Sequence, residues 1–222
     1  MSFYLSRLRL SRSPSAAALS SLLNPQHDGA RLDAHHKLLW SVFADGPDRI
    51  RDFLWRDEGE GHFVTLSARP PVASDLFDAP EVKDFAPTLV PGDHLAFALR
   101  ANATRTRKAA GRVDVVMDAL QGLPKGARAD ERMAVAQTSG GNWLAGQGAK
   151  AGFRLVHCDV GDYSTITLPG YRGPRKGQPQ FGILDMSGVV EVTDPAAFLQ
   201  QMAKGFGRAK AFGCGLMLIR RT

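Results

Sequence analysis

Apolar and polar residues alternate through "FYLSRLRL" (3–10), and that period of two predicts a half-buried strand. "SPSAAALSSLLNPQHDG" follows, with Pro, Asn-Pro and Asp-Gly breakers around a short apolar run. From Arg31 to Phe43 the apolar residues fall at 32, 38, 39, 40, 42 and 43, a helical spacing closed by "ADGP". "RDFLWR" and "HFVTLSA" then read as a strand pair turning through Gly59 to Gly61. "DHLAFALRANATRTR", opened by the turn signal "VPGD", is a further strand. Through residue 100 the order is β-α-β-β-(α)-β, that of a ferredoxin-like domain.

The second half echoes this order. "LRANATRTR" either closes the first sheet or starts the second. A basic segment (108–128) leads into "DERMAVAQTSGGNWLAGQGAKAGF", which reads as a helix with a loop in it. Two long strands are expected in "FRLVHCDVGDYSTITLPG" and "PQFGILDMSGVVEV", with "YRGPRKGQ" at the turn between them. Asp194-Pro195 is an N-cap followed by Pro at the first helical position, and Gly205 ends that helix. "GLMLIRR" is the last strand. The expectation is an α+β chain of two tandem ferredoxin-like domains, 1–100 and 101–222.

Composition fits that size and excludes several classes. The chain has 222 residues, 44% hydrophobic and 23% charged, with no run apolar enough to span a bilayer. The N-terminal "MSFYLSRLRLSRS" lacks an uninterrupted apolar stretch, so no secretory signal is expected. Cys158 and Cys214 stand far apart without a CxxC, against both a disulfide scaffold and a zinc site. A cytoplasmic protein without a membrane partner is the simplest reading. Charge is uneven: residues 1–99 hold 10 Lys and Arg against 13 Asp and Glu, whereas residues 100–222 hold 18 against 9. The second half therefore favours a polyanionic partner.

The glycines of "KGFGRAKAFGCG" (204–215) exclude more than they identify. No GxxxxGK[ST] spacing is present, and a dinucleotide loop would need strand, glycines and helix in that order. Here a helix precedes the glycines and a strand follows. Two readings of the stretch remain. Gly205 caps a helix while Gly207, Gly213 and Gly215 permit tight packing, or the backbone approaches an anionic partner with Arg208 and Lys210 supplying charge.

Gly-Phe-Gly, five residues and Gly-Cys-Gly before a terminal strand resemble the glycine-rich loop of repeat-associated CRISPR proteins. Together with "YLSRLRL" at the start, "RDFLWR" (51–56), "FALRAN" (97–102) and "WLAGQGAKAGF" (143–153), the chain resembles the CasE family. The resemblance runs from the first strand to the last. It implies two RRM-like, RAMP-type domains that bind the stem-loop of a CRISPR repeat transcript. It further implies a cut at the base of that stem without a metal or cofactor. The ribose 2′-OH attacks the phosphate, leaving a 2′,3′-cyclic phosphate or 3′-phosphate and a 5′-OH. The resemblance also implies a protein that is a monomer when free and keeps its product as a subunit of the Cascade complex. Two other readings are a Cascade-like subunit that holds RNA without cutting it, and an unrelated basic RNA-binding domain.

Metal-free cleavage needs a proton-transfer group of near-neutral pKa, and histidine fits. The resemblance assigns the catalytic role to His36 in "HKLLWSVF". A helical wheel independently puts His36 at the edge of the apolar arc, beside Trp40, and His35 near its middle as a core residue. Where relatives carry a tyrosine three residues earlier, this chain has Asp33, which could orient the imidazole and raise its pKa. Tyr4 on the first strand is a spatial substitute for that tyrosine. Lys37, Arg12 and the cluster Arg105, Arg107 and Lys108 are candidate phosphate contacts. Arg172, Arg175 and Lys176, at the turn of the predicted hairpin, are expected to enter the RNA groove. In the terminal loop Gly205, Gly207, Arg208, Lys210, Gly213 and Gly215 are expected to face RNA.

Overall fold

The computed structural model describes residues 3–44, 46, 49–108, 111–168 and 179–222. The chain divides into two compact units, Met1–Pro87 with Thr167–Pro179 and Lys210–Gly213, and Thr88–Ile166 with Gln180–Ala209 and Cys214–Thr222.

In the first unit β1 (Phe3–Arg9) leads through two short helices, α1 (Pro14–Ala18) and α2 (Ser20–Leu23), to the long α3 (Asp28–Phe43). Three strands follow: β2 (Phe53–Gly59), β3 (His62–Ser67) and β4 (Glu81–Phe85). They form one sheet in the order β2-β3-β1-β4, the ferredoxin-like arrangement. β1 pairs antiparallel with both β3 and β4. Register sets Leu8 opposite Phe63, Ser6 opposite Thr65 and Trp55 opposite Thr65, so these residues share one face. α3 covers that face. His35 meets the Phe63 ring edge-on at 4.8 Å, and Phe53 stacks on Phe43 at 4.4 Å. Leu39, Val42 and Phe43 are fully buried there.

The second unit holds β5 (His94–Ala101), β6 (Thr104–Arg107), β7 (Gly111–Asp114), α4 (Val115–Leu120) and α5 (Arg132–Ala151). It continues with β8 (Phe153–Thr167), β9 (Gln180–Val192), α6 (Pro195–Lys204) and β10 (Met217–Arg221). Its main sheet runs β10-β5-β9-β8, which is the same topological order as the first. β6 and β7 form a separate ribbon. α6 begins as the sequence predicts, with the Asp194 carboxylate accepting from the Ala197 amide and Pro195 at its first turn.

Three expectations are corrected. The strand 94–101 does not close the first sheet; it lies beside β9 and β10, and the first sheet is closed by β4. The compact units therefore part near residue 87 rather than at 100, and the first unit draws two later segments into itself. The stretch read as a helix containing a loop is one continuous helix of 20 residues. Gly140 is there because Leu184 and Val160 come within 3.2 Å of where its Cβ would stand. Close packing thus offsets the roughly 1 kcal/mol that glycine costs a helix interior. "YRGPRKG", with Arg172, Arg175 and Lys176, lies outside the described residues.

Candidate active site

His36 and His35 leave α3 on adjacent positions, 100° apart, and that rotation gives them different surroundings. His35 turns into the core and is 2% exposed, with Nδ1 3.2 Å from Asp57 Oδ2. His36 stays at the border of the buried face, where Nε2 accepts a hydrogen bond of 3.0 Å from the indole Nε1 of Trp40. An indole can only donate, so the neutral imidazole must carry its proton on Nδ1. The Phe212 ring lies 6.4 Å from the His36 ring, tilted by 49°.

Phe212 arrives on a short 3-10 helix, Lys210–Phe212, that belongs to the first unit and packs against α3 and β2. Gly213 (φ +74°) ends it, with the Trp55 ring 3.2 Å from where a Cβ would project. A side chain there meets both an unfavourable backbone region and a buried indole. Gly207 (φ +69°), in the second unit, is more constrained, since a Cβ would fall 2.6 Å from the carbonyl oxygen of Asn102. That contact accompanies the hydrogen bond from the Arg208 amide to the same oxygen, 3.0 Å long. Gly205 caps α6 through its amide to Gln201, and the Gly215 amide donates to Arg100. Each of the four glycines thus has a packing or capping duty, and the Arg208 side chain is exposed.

The local field is positive. Burial and then Arg51 push the His36 pKa below the ordinary histidine value, with Lys37 adding to the depression and Asp33 opposing it. Burial and Arg51 likewise lower the Lys210 ammonium, and burial lowers Arg51 itself. Asp33 does raise the His36 pKa, as expected, but burial and Arg51 outweigh it. Its carboxylate accepts from Lys37 Nζ at 2.6 Å, and the net shift is downward. Lys37 is correspondingly engaged, on the exposed side of the helix. A groove of about 680 Å³ runs along α3 past Asp33, Lys37, Ser41 and Phe212.

The other candidates fall elsewhere. Tyr4 is half-buried on β1, on the sheet face shared with Ser6, and among the described residues nothing bonds it to His36. Arg12 is exposed. Arg105 and Arg107 both close on the buried carboxylate of Asp118, Arg107 at 2.9 Å, while Lys108 is exposed. Both cysteines are buried thiols. Arg51 was not singled out by sequence reasoning. "RIRDFLW" offers no sign of which arginine finds a carboxylate, and only the fold reveals that Arg49 and Arg69 take Asp52.

Comparison with known proteins places this geometry in context. The model of a family described as CRISPR associated protein matches residues 3–221. The CRISPR system Cascade subunit CasE of Escherichia coli strain K12 is 28% identical over 187 residues, covering 82% of this chain and 88% of the relative. The CRISPR-associated endoribonuclease Cse3 of Thermus thermophilus is 30% identical over 146 residues, 62% of this chain and 60% of the relative. In structure the chain is similar to the endoribonuclease Cse3 bound to 19 nt RNA. The TM-score is 0.70 at 22% identity, across 99% of this chain and 100% of the other. It is also similar to Thermus thermophilus Cse3 bound to an RNA representing a pre-cleavage complex. There the TM-score is 0.68 at 25% identity, with 99% and 100% covered.

Proposed function

The chain belongs to the CasE branch of the CRISPR-associated protein family, and from that premise we propose that it cuts CRISPR repeat stem-loops without a metal and holds the product as a Cascade subunit. The observation that carries this reading is the meeting of His36 with Phe212 from segments far apart in sequence, with Lys210 on the same 3-10 helix that packs against α3. A titratable imidazole, a cation and an aromatic face are the groups such a cut requires.

The reaction is an internal transesterification. The 2′ oxygen forms a bond to phosphorus, the bond from phosphorus to the 5′ oxygen breaks, and the 2′-OH proton is balanced by one delivered to the leaving 5′ oxygen. The product is a 2′,3′-cyclic phosphate, which water can open to a 3′-phosphate, and a 5′-OH. In the free protein His36 is held neutral by burial, by Arg51 and by the Trp40 N–H on its Nε2. A phosphodiester entering the site adds negative charge and favours the imidazolium. Protonated on both nitrogens, His36 gives up the indole contact and serves as the acid for the 5′ oxygen. Lys210 offsets charge on the phosphorane. Phe212 offers a face on which a base can stack. Arg172, Arg175, Lys176, Arg208 and Lys108 are proposed to grip the stem by charge.

The test is cleavage of the stem-loop transcribed from the repeat array next to the coding sequence, in excess EDTA. The expected result is one cut giving a cyclic phosphate end. No cut should occur when the ribose before the scissile bond is 2′-deoxy. His36→Ala should slow cleavage by about a thousandfold while retaining RNA binding. Tight binding without cleavage in the intact chain would leave only the RNA-holding role.

A further inference from the structure

Arg51 stands just ahead of β2, two residues before Phe53, whose ring meets the Trp40 ring at 5.4 Å. Trp40 in turn bonds His36. From the other side the 3-10 helix carrying Lys210 brings Phe212 to His36. The elements that carry His36, Arg51 and Lys210, namely α3, the lead into β2 and residues 210–212, therefore pack together within the first unit. Arg51 is near enough to perturb both of the others.

The arginines of this region are treated differently by the fold. Arg49 lies 2.8 Å and Arg69 3.0 Å from the single carboxylate of Asp52. Among the described residues no acidic side chain pairs with Arg51, although it is half-buried. A guanidinium withdrawn from water without a counter-charge, beside a histidine and a lysine, is unfavourable. An anion beside the guanidinium supplies that counter-charge. Its planar fork suits two oxygens of one tetrahedral phosphate, a geometry that a lysine ammonium does not reproduce.

We propose that Arg51 is a direct ligand of the scissile phosphate, completing with His36 and Lys210 an anion site for two phosphate oxygens. This rests on the cleavage reading above and adds to Lys210 a second group that neutralises the phosphorane. The Arg51 fork holds the two non-bridging oxygens, which leaves His36 aimed at the 5′ oxygen.

Two measurements test it. In single-turnover cleavage of the repeat stem-loop, Arg51→Gln should cut about a hundredfold to a thousandfold more slowly. Its affinity for the 2′-deoxy, uncleavable stem-loop should change by less than about tenfold, since many other phosphates remain held. Arg51→Lys, which keeps the charge and guards against a folding defect, should recover only part of the rate. Equal rates for wild type and Arg51→Gln would overturn the proposal. Separately, the imidazole of His36 is titrated by NMR with and without inorganic phosphate. Phosphate should raise its pKa in the wild type and leave Arg51→Gln unmoved; the same rise in both would overturn the anion site. A wild type that binds phosphate in this way yet never cuts RNA would defeat the cleavage reading alone.

Discussion

The indole N–H of Trp40 donates to Nε2 of His36, one helical turn away, and so decides which imidazole nitrogen carries the proton. The acceptor lone pair exists only in the neutral ring, so this bond opposes protonation. Trp40→Phe removes the donor and keeps a ring. The pKa of His36 should rise, because the neutral ring loses a hydrogen bond that the imidazolium cannot accept. NMR titration of the His36 imidazole in both proteins reads the shift directly.

The same depressed pKa sets a sign for stability against pH. His36 is harder to protonate folded than unfolded, so the unfolded chain binds the extra proton first. Its contribution to stability is complete above the unfolded value of about 6.5. It is lost as pH falls through the lowered folded value. Denaturant unfolding of wild type and His36→Gln between pH 7.5 and 4.5 should show a shallower acid decline in the variant.

Gly207→Ala and Gly213→Ala separate two uses of one loop. Both positions have positive φ, and an alanine at 207 would also strike a backbone carbonyl at 2.6 Å. Each should destabilise by about 1–3 kcal/mol, with Gly207→Ala the worse. Gly213→Ala moves the 3-10 helix that bears Lys210 and Phe212, so it should slow cleavage further than its melting shift explains. Thermal unfolding paired with single-turnover rates distinguishes the two.

Arg105 and Arg107 share the buried carboxylate of Asp118. Asp118→Asn should cost about 1–3 kcal/mol, the range for hydrogen bonds to charged groups. If the arginines serve mainly that carboxylate, Arg107→Ala lowers the melting midpoint while the salt dependence of RNA binding keeps its slope. A slope reduced by about one would make Arg107 a phosphate contact.

Local physics was readable wherever it acts within a few residues. The alternation of 3–10 yielded β1, the apolar spacing of 31–43 yielded α3, and Asp194-Pro195 located the start of α6. Alternation says that 94–101 is a strand but not which sheet receives it, because either sheet has a face to bury. Gly140 and Gly141 look like a break until Leu184 and Val160 are seen to need the room. His36 was legible as a residue at the edge of an apolar arc. Its neighbours were not: Arg51 is distinguished only by the carboxylate that two other arginines have taken, and Lys210, legible as a cation for RNA, is brought toward α3 only by the packing of residues 210–212. Asp33 acts on the imidazole in the expected direction, but burial and Arg51, neither visible in the local sequence, outweigh it.

Lys210 follows His36 by more than 170 residues, yet both belong to the first unit. The sheet of β1 to β4 can close while the protein is still being synthesised, because all its strands precede residue 87. The cation and aromatic face brought by residues 210–212 cannot arrive until the chain beyond them has been made. A partly translated chain therefore carries the histidine without its completed pocket, and nuclease competence is deferred until synthesis has passed residue 213.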